Sequence, residues 1–265
     1  MTLPLFWSYL RQWVCIASVL SGFYLFSFFP ALAQPIPPRV AAAANLNGVL
    51  EEMIVRFKEQ KNQSIEIVYG ASGNFYQQIV QGAQFDLFLS ANEEFADRLT
   101  RQGLTMEPGV VYARGRVVLW ISPRSKVSFD PSFSDLKRAL QDGRIDKFAI
   151  PNPTLAPYGL AATQSLKIYG LTELVQPRLV MGGDVGQTML FLKTQAAQAG
   201  IVPLSMVIQP ANKMGSTYEI IPEKLHTPIL QKMVLMKNVS LSAKAFYQFL
   251  QTDDARKIWR KYGYE

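Results

Sequence analysis

The sequence predicts an α/β protein of two lobes, and three observations carry that expectation. Short β-prone runs alternate with stretches of helical apolar spacing along most of the chain. Their order falls into two blocks, with changes near Ala113 and Thr227, so the chain crosses to a second lobe and returns. Subtracting a 33-residue leader from 265 residues leaves 232, enough for a large core in one two-lobed unit or for two small domains. The expected organisation is 1–33 signal peptide, 34–113 first lobe, 114–226 second lobe and 227–265 return to the first, whose C-terminal helices pack on that lobe.

The leader has Arg11 as its only charge, an apolar run from Trp13 to Phe29, and Ala31-Leu32-Ala33 before Gln34. That small-residue pattern is the form of a signal-peptidase site, so cleavage after Ala33 and a periplasmic mature protein are expected. The run approaches the length of a membrane span, which makes a retained, membrane-tethered form the alternative.

The mature part opens with a Pro-rich lead-in, and Arg39 to Ala44 reads as a short strand. Leu46, Val49, Leu50, Met53, Ile54 and Phe57 then recur at helical spacing, with Asn45 as the expected N-cap. Ile65 to Tyr69 alternates like a strand and stops at Gly70-Ala71-Ser72-Gly73-Asn74, after which Phe75, Ile79 and Val80 mark a helix. Phe85 to Ala91 is an apolar strand, followed by a helix from Glu93 to Arg101. This βαβαβα order implies a mostly parallel sheet.

Arg116 to Ile121 is strongly β-prone, and Phe133 to Leu140 reads as a helix capped near Ser132. Phe148 to Ile150 is a strand, Leu160 to Tyr169 a helix, and Leu179 to Met181 a strand ending at Gly182-Gly183. A helix is expected from Val185 to Ala199 with Gly200 as its stop, then a strand at Ile201-Val202. Leu204-Ser205-Met206 reads as core or as the floor of a cleft, and Gln209 to Ser216 as a polar connection. Tyr218 to Ile221 and Ile229 to Met236 are strands, and one or two helices fill Ser242 to Tyr262.

Composition narrows the chemistry. Cys15 lies in the leader, so the mature chain has no disulfide, thiol or cysteine-metal chemistry. His226 is the sole histidine, which leaves Cys/His and Ser/His/Asp catalysis unsupported; Asp253-Asp254 sits at a helix start and reads as a cap. The expectation is a binding protein without catalytic residues, not an enzyme. Removing Arg11 leaves 26 basic residues against 20 acidic, a net +6 that is spread out and argues against nucleic acid.

Four strand-to-helix turns share a character: Ala44-Asn45, Ala71-Ser72-Gly73, Ala156-Pro157-Tyr158-Gly159 and Gly183-Asp184-Val185. Each offers backbone N–H groups at a helix start, three add a neutral hydrogen-bonding side chain, and none carries Lys or Arg. Helix N-termini attract anions through unpaired N–H groups and the helix dipole. Such a set suits a dehydrated, doubly charged oxyanion, each charge-assisted hydrogen bond contributing about 1.5–3 kcal/mol. A donor-only site disfavours protonated phosphate, whose P–OH needs an acceptor. Asp184 is either that acceptor or the N-cap of the following helix.

The order Ala-Ala-Ala-Asn-Leu, Tyr-Gly-Ala-Ser-Gly-Asn and Phe-Asp-Leu-Phe-Leu-Ser-Ala-Asn resembles the molybdate-binding subunit of bacterial ABC transporters. The likeness continues through Ala156-Pro157-Tyr158-Gly159, Gly183-Asp184-Val185, Phe246 to Leu250 and Arg260 to Tyr264. The resemblance implies a type II periplasmic-binding-protein fold with two inter-lobe crossovers. It also implies oxyanion contacts from Ala44 by its N–H, Asn45 and Ser72 by N–H and side chain, Tyr158 by N–H or hydroxyl, and Val185 by its N–H. Molybdenum is then held only as the oxyanion, with no direct protein ligands and no cofactor. One branch of the family has serine in place of Asn45 and a tyrosine hydroxyl near Pro203; proline donates nothing, so this chain fits the other branch.

The function so implied is extracytoplasmic capture of molybdate, and of the similarly sized tungstate, by a monomer that docks on a membrane permease. Sulfate, phosphate, an iron complex or an amino acid are the alternative ligands. An amino acid or organic acid needs a cationic clamp, which Arg114 or Arg116 would supply if either pointed into the cleft.

Overall fold

The structure, a computed structural model, describes residues 36–265 except Pro131 and Met214. The expected signal peptide and its cleavage after Ala33 lie outside the described residues. Residues from Pro37 to Glu265 form one compact unit, and among the described residues no helix is long and apolar enough to cross a membrane.

Two five-stranded sheets organise that unit. The first is built from β1 (Arg39–Ala43), β2 (Glu66–Gly70), β3 (Leu87–Ser90), β4 (Val110–Gly115) and β10 (Ile229–Leu235), in the order β2-β1-β3-β10-β4. The second holds β5 (Val117–Ile121), β6 (Phe148–Pro151), β7 (Leu179–Gly182), β8 (Ala199–Pro203) and β9 (Thr217–Ile220), in the order β7-β6-β8-β5-β9. The longer helices are α1 (Val49–Lys61), α2 (Ser72–Val80), α3 (Glu93–Arg101), α4 (Ser134–Gln141), α5 (Pro157–Ile168), α6 (Val185–Lys193), α7 (Leu241–Phe249) and α8 (Asp253–Lys261).

Each sheet is mixed rather than mostly parallel. β1, β2 and β3 run parallel, but β10 is antiparallel to both β3 and β4. Likewise β6 runs parallel to β7 and β8, while β5 is antiparallel to β8 and β9. The strands followed by helices run parallel, and the one reversed strand of each sheet is that by which the chain enters it from the other: β5 in the second sheet and β10 in the first. Only Arg116 separates β4 from β5, and the return passes from β9 through a short turn at Glu223–Leu225 into β10.

Strands with both faces covered bury every residue. In β3, Leu87 and Leu89 face the cluster containing Leu50, Met53 and Phe57 of α1, whereas Phe88 faces Phe75 and Ile79 of α2 and Leu99 of α3. Phe57 meets Phe246 of α7 edge-on at 5.1 Å and Phe249 at 5.4 Å, which fixes the C-terminal helices to the first sheet. The chain end is tied to the crossover as well: Arg114 N–H donates to Glu265 O at 2.7 Å, and Glu265 N–H returns to Arg114 O at 3.1 Å.

Three local expectations change. Asn45 is not the N-cap of α1. It sits inside a 3₁₀ turn at Ala44–Leu46, and α1 starts after Gly48, whose φ of 88° is a conformation that favours glycine. The cap ahead of α4 comes from Asp130 rather than Ser132: its carboxylate accepts from the N–H groups of Ser132, Ser134 and Asp135. Those bonds hold its pKa well below the usual carboxylate range, with the Ser132 hydroxyl the largest contributor.

The helix expected up to Ala199 ends at Lys193, and Ala199 and Gly200 already belong to β8. Gly200 serves close strand contact rather than helix termination, since a Cβ there would lie 2.4 Å from Ala149 O. Leu204–Val207 is a short, fully buried helical turn, which places Leu204 and Met206 in the core.

Candidate functional site

One small cavity between the sheets is walled by Ala43, Ala44 and Asn45, by Gly70, Ala71 and Ser72, by Ala91, by Ala156, Pro157 and Tyr158, and by Asp184 and Val185. All four turns singled out in the sequence therefore meet at one place. Two follow strands of the first sheet and two follow strands of the second. Ligands of open α/β sheets sit at such strand ends. The space between the four turns is narrow.

Local sequence explains how each turn presents its backbone. Ser72 is the first residue of α2 and Val185 the first of α6. Tyr158 is the second of α5, behind Pro157, whose fixed φ suits a helix start and whose missing N–H costs nothing there. First-turn N–H groups have no acceptor within their helix. Among the described residues, no protein acceptor takes the N–H of Asn45, Ser72, Tyr158 or Val185. Asn45, Ser72 and Tyr158 are each only 1% exposed, so bulk water does not readily substitute.

The side chains behave less uniformly. Ser72 Oγ accepts from Ala91 N–H at 2.9 Å, which leaves its own proton to donate. Asn45 Nδ2 donates to Gln231 Oε1 at 2.9 Å and to Tyr264 Oη at 2.8 Å, so this amide braces the wall from behind instead of reaching into the cavity. Tyr158 Oη accepts from Gln231 Nε2 at 3.3 Å and lies against Gly115, where a Cβ would approach it to 2.1 Å. Burial raises the pKa of the Tyr112 and Tyr158 hydroxyls well above the ordinary value, and that of Tyr264 to about 12, so all three stay neutral.

Asp184 is the one charged residue on the wall. Its Oδ1 accepts from Gln187 N–H at 2.8 Å, and Gln187 Oε1 accepts from Gly183 N–H at 2.6 Å. The first of these bonds makes Asp184 the N-cap of α6, and Gln187 reaches back one residue further, to Gly183. No Lys or Arg lines the cavity. Arg114 instead pairs with Glu223, at 3.3 Å, and Arg116 with Glu265, at 2.6 Å, so neither forms the clamp that an organic acid needs. Among the described residues no group of three or more His, Cys, Asp or Glu is placed to hold a metal ion.

Sequence reasoning missed the polar layer behind the cavity. Gln231, Tyr112, Tyr264 and Ser205 form it with Asn45. Gln231 carried a signal: it is the one polar residue on the Ile229–Gln231–Met233–Leu235 face of its strand, the face that is otherwise apolar. Tyr264, next to the last residue, carried none.

Comparison with known proteins agrees with this architecture. The family model for bacterial extracellular solute-binding proteins matches residues 38–265. A molybdate-binding protein of Rhodobacter capsulatus is 37% identical over 84% of this chain and 86% of its own. One of Azotobacter vinelandii is 32% identical over 88% and 91%. The solved structure of an Azotobacter vinelandii periplasmic molybdate-binding protein superposes with a TM-score of 0.76, covering 86% of this chain and 98% of that one.

Proposed function

The chain belongs to the bacterial extracellular solute-binding proteins, and we propose that it captures molybdate, and tungstate equally, for delivery to the membrane permease of an ABC transporter. One observation carries the reading. The free N–H groups of Asn45, Ser72, Tyr158 and Val185 border one buried cavity that no cationic side chain enters. Ala44 adds its backbone, and the Ser72 hydroxyl adds a donor.

A dianion stripped of water is held there by dipoles rather than by opposite charge. Hydrogen bonds to a charged partner contribute about 1.5–3 kcal/mol each, and helix N-termini add a favourable potential. Several such bonds offset the cost of dehydrating the ion. The fixed peptides cannot follow a smaller ion inward, so sulfate leaves gaps between donors and oxygens. Phosphate brings a P–OH whose proton needs an acceptor, and the Asp184 oxygen known to be engaged already takes Gln187 N–H.

In this reading residues 34–113 and 227–265 form one lobe and 114–226 the other. The mature protein acts outside the inner membrane as a monomer after cleavage behind Ala33, with a retained anchor as the alternative. Titration calorimetry with molybdate, tungstate and sulfate tests the proposal. Expected are near-equal affinities for the first two and a far weaker third. Absence of molybdate binding refutes the function, and sulfate binding of equal strength refutes the size argument.

A further inference from the structure

Gln231 is wholly buried, yet it is a carboxamide in a strand whose other residues, Lys232 apart, are apolar. A polar group in that position is costly unless every donor and acceptor is used. Its partners come from both sides of the cleft. Oε1 accepts from Asn45 Nδ2 at 2.9 Å and from Tyr112 Oη at 3.1 Å, both on the first sheet's side. Nε2 donates to Tyr158 Oη at 3.3 Å, on α5 beside the second sheet. The register of β10 against β4 shifts between Gln231 and Lys232, an irregularity of the kind that re-aims a side chain.

The partners are themselves fixed. Asn45 O accepts from Tyr264 Oη at 2.8 Å and from Ser205 Oγ at 3.1 Å, so Asn45 is held through its carbonyl as well as its amide. Gly115 leaves the gap that the Tyr158 hydroxyl occupies, and a Cβ there would also come within 3.0 Å of Gln231 Nε2.

We infer that Gln231 is the positioning residue of the anion site: one carboxamide, reading Asn45 with its oxygen and Tyr158 with its nitrogen, sets the two walls at the separation the anion requires. Neither end of Gln231 touches the anion. It acts through two residues whose N–H groups do, and it couples them, because the carboxamide is planar and rigid. When the lobes part, the Nε2–Tyr158 bond breaks. Closure then restores a buried hydrogen bond along with the donor set, so Gln231 slows release of the anion more than it speeds capture.

This inference rests on the anion-binding reading above, and the experiment separates the two. Molybdate binding to the wild type, Gln231→Leu and Gly115→Ala is followed by calorimetry and stopped-flow. Small-angle scattering with saturating molybdate reports lobe closure. For Gln231→Leu, the expected result is an affinity lower by about tenfold or more, carried mainly by faster dissociation, with a larger radius of gyration in the bound state. Gly115→Ala keeps the Gln231 carboxamide but drives the Tyr158 hydroxyl, 2.1 Å from the new Cβ, away from Gln231 Nε2, itself 3.0 Å from that Cβ; it is expected to show the same rate signature, and it decides the matter if Gln231→Leu does not fold. A wild type that binds molybdate beside folded variants within twofold of it in affinity and dissociation rate overturns the role of Gln231 alone. A wild type that binds none overturns both readings.

Discussion

Gly73 donates its backbone N–H to the carbonyl of Leu155 at 2.9 Å, joining the first turn of α2 directly to the loop ahead of α5. The contact bridges the two walls of the cavity without a side chain on either partner. Space is the reason: a Cβ on Gly73 would lie 3.0 Å from Leu155 Cα and 3.1 Å from both Leu155 O and Phe95 Cζ. A side chain there would need the Leu155 loop or the Phe95 ring to give by a few tenths of an ångström.

Gly73→Ala should therefore hold the lobes slightly apart while leaving each sheet intact. Expected are a melting temperature without ligand close to wild type and a molybdate affinity lower by about tenfold, equal to about 1.4 kcal/mol. Calorimetry alongside thermal denaturation checks both, and unchanged affinity would show that the backbone contact is incidental to binding.

Replacing Asp184 separates its capping role from its charge. Asp184→Asn keeps a side-chain oxygen for Gln187 N–H, so stability should stay within about 0.5 kcal/mol of wild type, whereas Asp184→Ala should lose about 1 kcal/mol. Removing a negative charge from the wall of an anion site should also tighten molybdate binding in Asp184→Asn. Denaturant titration and calorimetry read the two effects. Equal destabilisation by both substitutions would contradict the cap.

Stability should fall on the alkaline side. Burial raises Tyr264 from an ordinary value of 10.0 to about 12, so the unfolded chain loses this proton first as pH rises. The stabilisation is fully present below about pH 10 and disappears as pH climbs through about 12, a loss of about 3 kcal/mol from this residue. Tyr112 and Tyr158 are shifted in the same direction and add to the slope. Melting temperatures at pH 8, 10 and 11 check it; for Tyr264→Phe the decline should be shallower.

Much of this architecture could be read along the chain because its signals are local. The α3 bounds of Glu93 and Arg101 follow from a cap at Asn92 and an apolar stripe, and the structure reproduces them. The four turns were visible for the same reason: small residues between a strand and a helix announce an exposed backbone. Failures came where a residue's job is set by something distant in sequence. Gly200 looks like a helix stop until Ala149 is placed against it. Strand β4 went unseen because only Arg116 separates it from β5, with no turn chemistry between them. The brace behind Asn45 depends on Gln231 and Tyr264, 186 and 219 positions away, a pairing that no window of sequence contains.

The position of β10 has a consequence for how the molecule comes into being. All four turns have been made once synthesis passes Val185, yet the strand that lies between β3 and β4 begins only at Ile229. Until then the first sheet is split down its middle, and long-range pairing of this kind is slow to form. A nascent chain halted within the second lobe would carry all four turns but lack the strand that joins β3 to β4. If those turns hold an anion as proposed, the capacity to hold it should arrive only with the residues from Ile229 onward.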